Sequence, residues 1–174
     1  MSTESDVARV RGWLTGRLPG EWFEGAPELT IDRDEILIVG RVAAPEQSGE
    51  VSAAEKSAAV EGRIKQFREE TRERRIEIAR ELEHATRRKV AWGLEVGETR
   101  KVFTSLSAPV MTRLRQPERQ VLDTLVDAGV ARSRSDALAW CVKLVAQHSD
   151  TWLADLREAL TKVEDVRRSG PDSQ

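Results

Sequence analysis

Apolar residues along the chain switch between two periods, and each switch marks an element. Over 6–17, Val7, Val10, Trp13 and Leu14 fall at helical spacing, and Gly20 after Pro19 closes a short amphipathic helix. Two β-rich runs, 28–31 and 36–39, flank the polar turn 32–35 and predict a hairpin. Trp13, Trp22 and Phe23 suit packing of the helix on that hairpin; an aromatic ligand cluster is the competing reading. Residues 44–52 turn to Ala, Pro, Gly, Ser and Glu, a loop composition. From 53 to 88, Val60, Ile64, Phe67, Ile78, Leu82 and Ala85 stand three or four apart, with Thr71 and Arg74 filling the same series. That series predicts one long helix with a narrow seam, as in a coiled coil or a helix laid along a partner. Val90, Trp92, Leu94 and Val96 then alternate, Gly97 and Glu98 turn, and Val102, Thr104 and Leu106 alternate again, which predicts a second hairpin. Trp92 is expected to pack in the core rather than stack on a base.

The last third changes character. In 110–115, period two puts Val110, Thr112 and Leu114 on one face and Met111, Arg113 and Arg115 on the other. Pro117 opens a helix, Val121, Leu122, Leu125 and Val126 mark its buried face, and Gly129 closes it. Ser133 with Asp136 three residues on resembles a capping box and starts a second helix with Ala137, Leu138, Cys141, Leu144 and Val145 on its apolar face. Asp150 or Thr151 caps a last helix with Trp152, Leu153, Leu156, Leu160 and Val163 on one side. It is expected to stop near Gly170 and Pro171, leaving a frayed tail.

Composition bounds what these elements build. With 39 % hydrophobic and 33 % charged residues in 174, the chain can bury the core of one modest domain or two small ones. Its apolar runs are far shorter than the roughly 20 residues a membrane helix needs. The acidic N-terminus has no signal-peptide pattern, and the lone Cys141 fits a reducing compartment, so a cytoplasmic location is expected. Cys141 itself reads as a small core residue rather than a reactive thiol. His84 and His148 lie far apart with no second ligand nearby, so neither a metal nor a cofactor is expected. No Gly-rich phosphate loop, Gly-x-Ser-x-Gly elbow or His-Glu-x-x-His motif occurs, and the paired acids Glu69 with Glu70 and Asp32 with Asp34 read as solvated. The expectation is a binding protein and no enzyme.

The near balance of 28 Lys+Arg against 30 Asp+Glu conceals segregation. Residues 1–50 hold 5 basic and 10 acidic groups, whereas 87–119 hold 8 basic and 3 acidic. The run from Arg68 to Arg75 is basic too, but its interleaved acids read as a solvated face.

The alternating Thr-Arg-Leu-Arg of 112–115, the Pro-opened helix, the Gly turn and the Ser-Arg-Ser-Asp-Ala entry to the next helix resemble the ribbon-helix-helix family of DNA-binding proteins, the Arc and MetJ type. About 40 of the 174 residues carry this resemblance. It implies a homodimer whose two strands pair as an antiparallel ribbon in the major groove of duplex DNA, for transcription regulation. It also implies that Met111, Arg113 and Arg115 face the bases. Ser133 and Ser135 at the second helix's N-terminus, with Arg132 and Arg134, would then meet phosphates.

A second register would use 101–106 as the ribbon, with Ser107 capping a helix opened by Pro109. The expected fold is α+β and mostly helical: helix plus hairpin (1–50), long charged helix (51–89), second hairpin (90–108), ribbon-helix-helix-like module (109–149), and a C-terminal helix with its tail (150–174). The N-terminal parts would sense a ligand or dock a protein. The competing function is a non-catalytic interaction or scaffold protein using the long helix and helical C-terminus, a reading that the pI near 5.9 favours.

Overall fold

The computed structural model describes residues 4–46, 49 and 51–169, and among them the fold is α+β. It comprises two compact units, one ending at Pro109 and the other beginning at Val110. The stop expected at Gly170 and Pro171 and the frayed tail lie outside the described residues.

In the first unit, helix α1 (Glu4–Arg17) precedes the hairpin of β1 (Glu28–Ile31) and β2 (Glu35–Val42), which pair antiparallel. Asp32 sets that turn, because its side-chain Oδ1 accepts the backbone N–H groups of Asp34 at 2.8 Å and Glu35 at 2.7 Å. Helix α2 (Ala53–Glu70) begins on a full capping box: the Ser52 hydroxyl accepts from the Glu55 N–H, and the Glu55 carboxylate accepts from the Ser52 N–H. Helix α3 (Arg72–Thr86) follows, then β3 (Lys89–Val96) and β4 (Thr99–Val102). The sheet order is β1-β2-β3-β4, with β2 and β3 parallel and β3 and β4 antiparallel. Parallel neighbours require a crossover, which α2 and α3 supply. The segments 1–50, 51–89 and 90–108 therefore fold together, around one sheet.

Period two on β2 and β3 sends Ile36, Ile38 and Val42 with Trp92, Leu94 and Val96 into one core, where they meet Val10 and Leu14 of α1, Ile64 and Phe67 of α2, and Ile78 and Leu82 of α3. Trp22 joins this core and meets Phe23, Phe67 and Trp92 edge to face, so the aromatic residues near the first hairpin are structural. Gly40 occupies the inward position between Ile38 and Val42, and a Cβ there would lie 2.0 Å from the Phe23 ring. The missing side chain is what seats that ring. Gly97, at φ 59°, makes the two-residue turn between β3 and β4.

Three expectations change. The long helix is interrupted at Thr71, a buried residue with φ −96° and ψ 0° whose hydroxyl donates to the Phe67 carbonyl at 2.6 Å. Such back-bonding competes with regular helix geometry. The predicted seam is filled by the sheet of its own chain, and Arg75 rather than Arg74 turns partly inward, while Ala85 is exposed. The second hairpin ends at Val102, short of Thr104 and Leu106.

The second unit holds α4 (Gln116–Asp127), α5 (Arg134–His148) and α6 (Asp150–Ser169). Its core is small: Leu122, Ala131 and Ala137 are buried, with Leu114, Leu125, Val126, Leu138 and Cys141 packed against them. Val121, expected on the buried face, is exposed. No helix among the described residues is long and apolar enough to cross a membrane.

Candidate nucleic-acid interface

Residues 104–115 form neither helix nor sheet within the chain, and α4 opens at Gln116 with Pro117 in its first turn. This removes the second register: Lys101 is already paired with Leu94 in the sheet, and no helix starts at Pro109. Among the described residues, 110–113 make no backbone hydrogen bond, whereas the Leu114 and Arg115 carbonyls both accept from Arg119. Val110 and Met111 are 86 % and 97 % exposed, whereas Leu114 turns partly inward onto the core of the second unit. Arg119 anchors the end of the segment by donating from Nη1 to the Leu114 carbonyl at 2.7 Å. Arg115 is extended, at φ −79° and ψ 173°, and leads straight into α4. The side chains of Arg113 and Arg115 are exposed, and neither makes an ion pair or hydrogen bond among the described residues. Two exposed guanidiniums two residues apart, with unused donor forks, can pair with guanine edges or with phosphates.

The turn between α4 and α5 is built by local chemistry. Gly129 takes φ 74° and closes α4, with the Val130 and Ala131 N–H groups returning to the Leu125 carbonyl. Ser133 caps α5 by accepting from the Asp136 N–H at 3.2 Å. The reciprocal half of the expected capping box goes elsewhere, because the Asp136 carboxylate accepts from the Arg132 N–H at 3.0 Å. Asp is one carbon shorter than Glu, and here it serves the residue before the cap. The N–H groups of Arg134 and Ser135 have no acceptor among the described residues and lie at the positive end of the helix.

The four candidate phosphate contacts thus divide. Ser133 and Ser135 stand at the open helix end, and Arg132 is exposed beside them, with only a long contact of 3.8 Å to Asp136. Arg134 is differently placed: its fork closes on Asp123 of α4 at 2.6 and 2.7 Å. This bidentate pair ties α5 to α4, and the hydrogen bonds from Arg134 hold the Asp123 carboxyl below its ordinary value. Whatever stability the pair adds is therefore present above the ordinary Asp range and lost as pH falls through the lower folded-state value.

A further feature surrounds this site. Trp140, Val142 and Val145 of α5 and Trp152, Leu156, Leu160 and Val163 of α6 are all exposed, Trp152 at 60 %. On α6 the spacing is four, four and three, one continuous stripe. This exposed apolar area lies beside a core of only three buried residues, Leu122, Ala131 and Ala137, among the described residues. Among the described residues no cluster of His, Cys, Asp and Glu could hold a metal ion.

Comparison with known proteins gives two adjoining family matches. The Rv1265-like protein, N-terminal domain, matches residues 8–102, and the Mb1296 C-terminal domain matches residues 115–167. The chain is 54 % identical over 169 residues, 97 % of its length, to the uncharacterized proteins Mb1296 of Mycobacterium bovis and Rv1265 of Mycobacterium tuberculosis, and it spans 73 % of each. No solved structure matches it.

Proposed function

We propose, from the premise that this chain belongs to the family of the Rv1265-like N-terminal and Mb1296 C-terminal domains, that it is a dimeric, sequence-specific duplex-DNA-binding protein acting in the cytoplasm as a transcriptional regulator. The observation that carries the reading is the segment 110–115, outside any sheet of its own chain and exposed except at Leu114, with Arg113 and Arg115 side chains unpaired among the described residues, leading into a helix, a Gly turn and a capped helix. In this reading two copies pair these segments antiparallel, in the manner of the ribbon-helix-helix family. Pairing would give the backbone groups of 110–113 partners and place Met111, Arg113 and Arg115 on the face that enters the major groove. Arg132 and the N–H groups at Ser133 to Ser135 would meet the flanking phosphates, while Arg134 acts first as the brace between α4 and α5. The exposed apolar residues of α5 supply the surface that a second copy covers, and no reaction is assigned.

A ribbon built across a two-fold axis reads two-fold-related half-sites. Selection of the purified chain against a pool of random duplexes is therefore expected to enrich an inverted repeat. Enrichment of a motif without two-fold symmetry, or of none, counts against this reading. The second reading, a non-catalytic interaction or scaffold protein, draws on the α6 stripe, which suits a protein partner. It predicts a self-associating chain that enriches no duplex at all.

A further inference from the structure

Lys65, Arg68, Arg72 and Arg75 follow one another at spacings of three, four and three, so they share one side of α2 and its continuation into α3. They line a concavity of about 500 Å³ whose apolar wall is Phe103 and Ile76. Arg68 and Arg75 both lie over the Phe103 ring, 5.1 and 4.9 Å from its centre. Arg75 is partly buried and fixed: its Nε donates to the Thr71 hydroxyl and its Nη2 to the Arg68 carbonyl, each at 2.9 Å. The interruption of the helix at Thr71 is thus where this arginine is locked into the wall. No carboxylate pairs with Arg68 or Arg75 among the described residues, whereas Arg72 reaches Glu73 at 2.6 Å and Lys65 stands 3.9 Å from Glu69. Burial and the charges of Arg68 and Arg72 lower the pKa of Arg75 from its ordinary value. Like charges assembled around a partly dry wall are unfavourable until an anion arrives.

We propose that this concavity binds a small polyanion carrying two or more phosphate groups, held by Arg68, Arg72 and Arg75 against the wall of Phe103. Guanidinium forks match phosphate oxygens in pairs, and the space is that of a small-ligand site. A duplex backbone is the poorer fit, because Arg75 is partly buried beside the Phe103 ring and Glu69 stands on the lining, where it would face an extended row of phosphates. The proposal goes beyond the DNA reading and does not depend on it: it gives the N-terminal unit an effector site of its own.

Calorimetric titration of the full chain with sodium tripolyphosphate, ATP and AMP tests it. Tripolyphosphate is expected to bind one per chain, and AMP more weakly. If ATP binds more tightly than tripolyphosphate, the natural ligand is a nucleotide whose base stacks on the guanidinium planes; equal affinity identifies the phosphate chain alone. Arg68→Gln and Arg75→Gln should each weaken tripolyphosphate binding by about 10- to 100-fold, the range for a lost charged hydrogen bond. Arg72→Gln, at a mostly exposed side chain, gives the same test where Arg75→Gln perturbs the fold, and Arg157→Gln, at an exposed position of α6 in the other unit, should leave binding unchanged. No saturable binding of tripolyphosphate or ATP at millimolar concentration overturns the proposal. So do unaltered affinities in all three pocket variants, or a loss of duplex affinity in them with no small anion bound.

Discussion

Replacing Arg113 and Arg115 together by alanine is expected to erase sequence preference in DNA binding while leaving the fold intact. Both side chains are exposed and unpaired among the described residues, so their removal strands no buried group and breaks no ion pair. If each pairs with a base edge, it carries about 1–3 kcal/mol of discrimination. A two-fold ribbon doubles the loss, because the substitution removes four guanidiniums per dimer. The ratio of specific to nonspecific affinity, about 10³ or more for such proteins, should then collapse towards unity. The measurement is a paired titration of the preferred and a scrambled duplex with the original and doubly substituted chains. An equal loss on both duplexes, with a salt slope reduced by about one per lost contact, would instead make these arginines phosphate contacts. Thermal melting should remain unchanged.

The second large effect lies in the other unit. Leu94→Ala is expected to cost about 2–5 kcal/mol, since it empties a position of a tightly packed core that the surroundings refill only in part. Leu94 is completely buried, on β3, one of the two inner strands, in the core that the helices and the sheet share. Against a domain stability of roughly 5–15 kcal/mol, that change should lower the urea midpoint of the N-terminal unit sharply. A loss under about 1 kcal/mol would mean that the two layers are not held by this core. Val121→Ala makes the contrast within an isolated chain, because Val121 is 55 % exposed.

Much of this architecture was legible in local pattern. The first helix, both hairpins, the Pro117 entry, the Gly129 closure and the Ser133 cap each follow from residues within a few positions of one another. What stayed hidden depends on distant partners. The parallel pairing of β2 with β3 joins residues separated by the whole of α2 and α3, and no periodicity records it. Thr71 kept the helical series in step while its hydroxyl took the Phe67 carbonyl, so spacing alone predicted continuity where the helix is interrupted. Val121 and Leu122 are neighbours about 100° apart on a helix, and the pattern could not say which one faces inward. Arg134 carries the charge of a phosphate contact, but Asp123, eleven residues earlier, holds it.

The basic concavity shows the same limit from the other side. Its signal, Lys65 to Arg75 at helical spacing, was present in the sequence. The interleaved Glu69, Glu70 and Glu73 made the run look uniformly solvated. Around the helix Glu70 and Glu73 stand away from the concavity while Glu69 shares its lining, and only the position of Phe103 reveals that this side is walled by an aromatic ring.

The central claim, that 110–115 presents its arginines to duplex DNA, meets its most direct test in the affinity of the unaltered chain for duplex DNA across a range of salt concentrations. Phosphate neutralisation releases counterions, so the account predicts tight binding at about 50 mM salt and a linear fall of log affinity with log salt, with a slope near −0.9 per phosphate contacted. No binding at about 50 mM salt would contradict it, because electrostatic attraction to the duplex is strongest there.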